Sequence, residues 1–184
     1  MDESLLREIL EEHSQNPYGD NELKHVTHSS EWKSQKTGNV CRIQTTIKEN
    51  TLLHIAAQVK GSALAKACAS IMCSELEGEG IADIYQIQRN LRIWIEERVQ
   101  PMNWKGDLLV YQSLVDFPER MDCAILCWRA LEQVLPKRRA LRSFNVHEKY
   151  HRNFPIWNYH MNSPDHMGNL HVHCATHISI LEVP

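Results

Sequence analysis

The sequence has no block of basic residues. Its longest cationic run is Lys137-Arg138-Arg139, and 20 Lys and Arg against 23 Asp and Glu leave a formal net charge of −3. That balance excludes the electrostatic footprint by which proteins hold nucleic acid or an anionic membrane surface. No apolar stretch approaches the ~20 residues that span a bilayer. The opening MDESLLREILEE carries acids where a signal peptide needs bases and an apolar core. A cytoplasmic protein without a membrane anchor is therefore expected. The seven glycines are scattered, so no phosphate-cradling loop or dinucleotide fingerprint forms, and no Ser-His-Asp constellation is visible.

Histidine, by contrast, is abundant. Of 11 in all, seven lie after residue 136, a skew that marks a composition boundary. The length and the 42% hydrophobic content suit one core of ordinary size plus an appendage, so the expected division is a domain over 1–136 and a His-rich tail over 137–184. The six cysteines, at 41, 68, 73, 123, 127 and 174, are irregularly spaced. Without a secretory signal they read as reduced thiols rather than disulfides.

Leu5, Leu6, Ile9 and Leu10 share one stripe of an acid-started helix that ends before Asn16-Pro17. Residues 17–37 are polar and read as irregular. VCRIQTTI and TLLHIAAQV then form a hairpin about Lys48-Glu49-Asn50. From Ser62 onward, Leu64, Cys68, Ile71, Met72 and Leu76 recur at helical spacing until Gly78 and Gly80. A second such helix over about 81–99 carries Ile84, Ile87, Leu91, Trp94 and Ile95 and stops at Pro101. A third begins near Pro118, turns Met121, Ala124, Trp128, Leu131 and Leu135 inward, and ends at Pro136. The fold expected is α+β, a small antiparallel sheet of about three strands packed against four to five helices, with the His-rich extension appended.

This order of elements resembles the U-type iron-sulfur cluster scaffolds, the NifU, IscU and SufU group, over about three quarters of the chain. His13-Ser14-Gln15-Asn16-Pro17 looks like the family's early H-x-x-N-P element, and Ala67-Cys68-Ala69-Ser70-Ile71-Met72 like its small-residue helix. FPERMDCAILCWRALEQVL, 117–135, is similar to the SufU version of its closing helix nearly position for position. The resemblance implies a scaffold or carrier rather than an enzyme, an iron-sulfur cluster, iron or zinc as cargo, and a cysteine desulfurase or another assembly protein as partner. It also implies a pocket of three Cys and one Asp. Here the Cys-Gly-Asp motif looks like Thr37-Gly38-Asn39, and the second ligand region looks like Lys60-Gly61-Ser62. Cys123 alone matches a ligand, with Arg120 before it as in the SufU version and Asp122 where some members carry His.

One thiol cannot hold a cluster, which wants about four anionic soft ligands. It can accept sulfur singly, and a cysteine in the first turns of a helix opened by Pro118, with Arg120 near, is placed for reactivity. Cys41, Cys68, Cys73 and Cys127 fall on strand or helix faces that read as core. In an extended tail strand His171, His173 and His177 would share one face, a pattern that can bind zinc or copper. Two alternatives accompany the scaffold or sulfur-acceptor reading: a non-catalytic partner-binding module, and a metal-binding protein or enzyme repurposed through the His-rich tail. No motif specifies the substrate or the oligomeric state.

Overall fold

The structure, a computed structural model, describes residues 3–99, 101, 103–114 and 116–136. The tail with His171, His173 and His177 lies outside the described residues. Three antiparallel strands, β1 (His28–Lys33), β2 (Val40–Lys48) and β3 (Thr51–Lys60), form a sheet in the order β1-β2-β3. The β2–β3 hairpin turns on Glu49 and Asn50, both with positive φ (51° and 61°). Such a two-residue turn matches the twist of the strands it joins. Around the sheet stand α1 (Glu3–Gln15), α2 (Ala63–Leu76), α3 (Ile81–Glu97), a 3-10 turn (Gly106–Val110) running into α4 (Tyr111–Leu114), and a broken pair, α5 (Met121–Ala124) and α6 (Leu126–Val134). Counting each joined pair as one unit gives five helical units, the expected α+β architecture. Among the described residues no helix is long and apolar enough to cross a membrane.

The core follows from where small residues permit close approach. Helix α2 packs on β3, α1 and α6, and α6 covers β1 and β2. Its Ala65, Ala67, Cys68, Ala69, Ile71, Met72 and Cys73 are buried almost all round, as expected of a central helix rather than a surface one. Trp128 and Tyr111 anchor the other side of this core. The rings meet edge to face, 6.5 Å between centroids, and the indole N–H donates to the phenol oxygen at 2.8 Å. The Tyr111 hydroxyl in turn donates to the Ala124 carbonyl at 2.8 Å, so neither buried polar tip lacks a partner.

Three local expectations are corrected. Residues 17–37 are not irregular throughout: β1 lies within them, as an edge strand whose HSSEWK has no apolar alternation to announce it. Pairing with β2, and a Ser30 hydroxyl donating to the Ala130 carbonyl, hold it. The closing helix starts at Met121 rather than Pro118 and breaks at Ile125, where φ −95° and ψ 0° leave the helical basin. The stripe of α1 is narrower than expected, with Leu6 buried but Leu5 46% exposed. Residues 106–114, which carry no clear period, contribute Leu108, Val110, Tyr111 and Leu114 to the core.

Candidate functional site

Three segments converge at one corner of the sheet: the turn from β1 to β2, the N-terminus of α2, and α5. The turn is built by residues that cap themselves. The Ser34 N–H donates to the Asn39 carbonyl at 2.8 Å and the Gly38 N–H to the Ser34 carbonyl at 3.1 Å. Gly38 sits at φ 74°, a conformation that costs glycine little and L side chains more. Ser34 Oγ also accepts from the Thr37 N–H at 3.0 Å. On α2, Ser62 is the N-cap and accepts from the Ala65 N–H at 3.3 Å.

Of the pocket positions expected from sequence, the structure brings together Thr37, Asn39, Ser62, Asp122 and Cys123. Asp122 is buried. It accepts from the Ser34 hydroxyl at close range and from the Thr37 hydroxyl at 3.2 Å, and its other oxygen faces Arg129 Nη1 at 3.6 Å. The Arg129 guanidinium lies over the Trp32 ring, 5.8 Å from its centroid. Asp122 thus has one oxygen bonded by two hydroxyls and the other paired with a guanidinium, and it ties the turn to the broken helix. Cys123 faces the other way: Asn39 Nδ2 donates to its Sγ at 3.2 Å and approaches Ser62 Oγ at 3.4 Å.

Beside Cys123 opens a cleft of about 400 Å³, walled by α1 through Arg7, Leu10 and Glu11, by Ser62 and Leu64 of α2, and by Arg120. Arg120 lines the cleft, and its guanidinium lies over the Phe117 ring, 4.5 Å from the centroid. Lys60, the other expected pocket position, ends β3 opposite Val40 and is exposed. The reason expected for Cys123 reactivity is also corrected. Helix α5 is a four-residue segment, and the Cys123 amide already donates to the Arg120 carbonyl at 3.1 Å. A long helix N-terminus does not act on it; the side-chain donor Asn39 does, and Asn39 entered the sequence reading only as a lost carboxylate.

The remaining described thiols behave as their periodicity predicts. Cys41, Cys68, Cys73 and Cys127 are buried, while Cys123 is half-buried. Burial pushes the thiols of Cys41 and Cys68 up to about 12, and those of Cys73 and Cys127 well above their usual range. An inert thiol is the result, since the thiolate is the nucleophile.

The fold also assembles a Ser-His-Asp relay that no sequence spacing reveals. His13 Nδ1 lies 2.7 Å from Ser70 Oγ and Nε2 lies 3.1 Å from Asp107 Oδ2. His13 thereby joins α1 to α2 and to the 3-10 turn. Ser70 is 2% exposed and accepts from the Tyr18 N–H at 2.7 Å, which leaves no approach for a substrate. The relay is a staple.

A cluster or a bound metal ion can be tested against these donors. The corner offers one thiol and one buried carboxylate, that carboxylate being engaged by two hydroxyls and a guanidinium, and Glu11 and Glu119 line the cleft beside it. Thr37, Asn39 and Ser62 present neutral groups that bond within the corner. Among the described residues no group of three or more His, Cys, Asp or Glu is placed to hold a metal ion. This donor set does not fit a resident iron-sulfur cluster, iron or zinc.

No known family profile matches the sequence, and no curated protein matches it. Solved structures do. An iron-sulfur cluster assembly scaffold protein for the SUF system from the thermophile Fervidobacterium islandicum superposes with TM-score 0.66 at 15% identity, covering 73% of this chain and all of that one. The N-terminal part of a nitrogen-fixing NifU-like protein from Brucella abortus gives TM-score 0.63 at 16% identity, covering 73% of this chain and 92% of its own. A third, a hypothetical protein, gives 0.62 at 20%, covering 72% and 97%. The fold of this chain is the one shared by SufU-like and NifU-like scaffold proteins.

Proposed function

We propose that this protein works in iron-sulfur cluster assembly as a U-type scaffold modified into a sulfur acceptor, taking sulfur onto Cys123 from a cysteine desulfurase or another assembly protein. One observation carries the reading. Cys123 is the described cysteine that is not buried, and it stands at the meeting point of the three segments, on the rim of an open cleft. The shared fold supports the setting, and the neutral groups at Thr37, Asn39 and Ser62 support acceptance of sulfur over custody of a complete cluster.

In the transfer, the Cys123 thiolate attacks the outer sulfur of a persulfide on the donor's cysteine. A new S–S bond forms as the donor's S–S bond breaks, and the donor cysteine leaves as a thiolate. Cys123 ends as a persulfide, with no oxidant or reductant consumed. The test incubates the purified protein with a cysteine desulfurase and cysteine and reads intact and peptide masses. A gain of one sulfur atom on Cys123, absent from Cys123→Ser, is expected; an unlabelled native protein overturns the reading.

A further inference from the structure

We propose that Asn39 is a catalytic residue of this sulfur transfer, a fixed hydrogen-bond donor to the Cys123 sulfur as it attacks and as it carries the persulfide; this rests on the sulfur-acceptor reading above. The orientation of the amide is set by its neighbours. The Ser62 backbone N–H can only donate, and it lies 3.3 Å from Asn39 Oδ1, so that oxygen is the acceptor and Nδ2 must face Sγ. Nδ2 has two protons. It lies 3.2 Å from Cys123 Sγ and 3.4 Å from Ser62 Oγ, within donor reach of both.

The amide is also confined. Asn39 is 8% exposed, and a Cβ at Gly61 would overlap its Oδ1, so this glycine leaves the space the side chain fills. A donor already aimed at the atom that bears the charge of the attacking thiolate holds that thiolate in place before the new S–S bond forms. Aspartate at this position would keep the bond from the Ser62 N–H but would present oxygen, and a negative charge, to the sulfur. Where an aspartate would suit a metal ion, the asparagine present here suits an anionic sulfur.

Asn39→Asp and Asn39→Leu, each checked by a thermal melt against the native protein, are compared in chelator-containing buffer in two reactions: alkylation of Cys123 by iodoacetamide, and persulfide formation from inorganic polysulfide. Loss of a hydrogen bond to a charged group predicts that both variants slow by roughly tenfold in both reactions. An unchanged rate in a folded Asn39→Asp overturns the proposal. So does a slow Asn39→Asp beside a native-like Asn39→Leu, which would assign the effect to repulsion alone. Because neither reagent is a desulfurase, these rates decide Asn39 even if the desulfurase leaves native Cys123 unlabelled, an outcome that would sink the acceptor reading itself.

Discussion

The polar corner at Cys123 and the slab between the sheet and its helices hold the same functional group in opposite conditions. In the slab, Cys41 on β2, Cys68 and Cys73 on α2 and Cys127 on α6 are packed among alanines, isoleucines and leucines. Burial there disfavours the thiolate. In the corner, Cys123 is half-buried, is met by an amide donor, and opens onto a cleft. Cys123 and Cys127 are four positions apart in sequence, yet one faces the cleft and the other the core. Cysteine content therefore says little about reactivity in this chain; the environment each thiol occupies decides it.

The largest test of that contrast is chemical. Brief treatment of the native protein with an alkylating reagent should modify Cys123 at least ~100-fold faster than any of the four core thiols, by peptide mass spectrometry. Labelling of Cys68 or Cys127 at a comparable rate would dissolve the distinction between the two regions. Next in size is the corner's own stability. Asp122→Ala strands Arg129 in a largely buried position and frees the β1–β2 turn, and should cost roughly 3 kcal/mol in urea denaturation. A loss near zero would mean that the corner is held from elsewhere.

The slab answers to pH. Cys41 and Cys68 keep their protons in the folded protein up to about 12, whereas their ordinary value is 9.0. The folded state thus retains protons that the unfolded chain gives up above that value. The stability each thiol contributes is complete below about pH 9 and is lost as pH climbs toward 12, at on the order of 1.4 kcal/mol per pH unit for each. Urea midpoints from pH 8 to 10.5 should fall, and Cys41→Ala should make the fall shallower. The smallest effect belongs to Lys60→Ala. This exposed residue lies at the strand end beside the corner, so it should alter stability by no more than about 0.5 kcal/mol and leave sulfur acceptance at its native level.

Much of the fold was legible because its signals are periodic. The 3.6-residue recurrence of Cys68, Ile71, Met72 and Leu76 marked α2, and the alternation through Cys41 and Ile43 marked a strand. Strand β1 was not legible, since HSSEWK contains no apolar alternation and takes its conformation from hydrogen bonds to β2. The break at Ile125 was hidden for a similar reason: no proline or glycine lies there. At the site, the family resemblance pointed to Thr37, Asn39, Lys60, Ser62, Asp122 and Cys123, and the fold brings all of these but Lys60 together. The donor role of Asn39 and the pairing of Asp122 with Ser34, Thr37 and Arg129 were invisible, because partners 88, 85 and seven residues away in sequence meet only after folding.

By itself, the sequence determined the helix and strand order of most of the core and the absence of a thiol or carboxylate at 37, 39 and 62. Local propensity and residue chemistry suffice for these. Only the tertiary structure decided which thiol stays accessible, that His13 joins Ser70 to Asp107 as a staple, and that Asn39 points its N–H at sulfur. Each depends on side chains brought within hydrogen-bonding distance from separate segments, and one segment alone does not specify that placement.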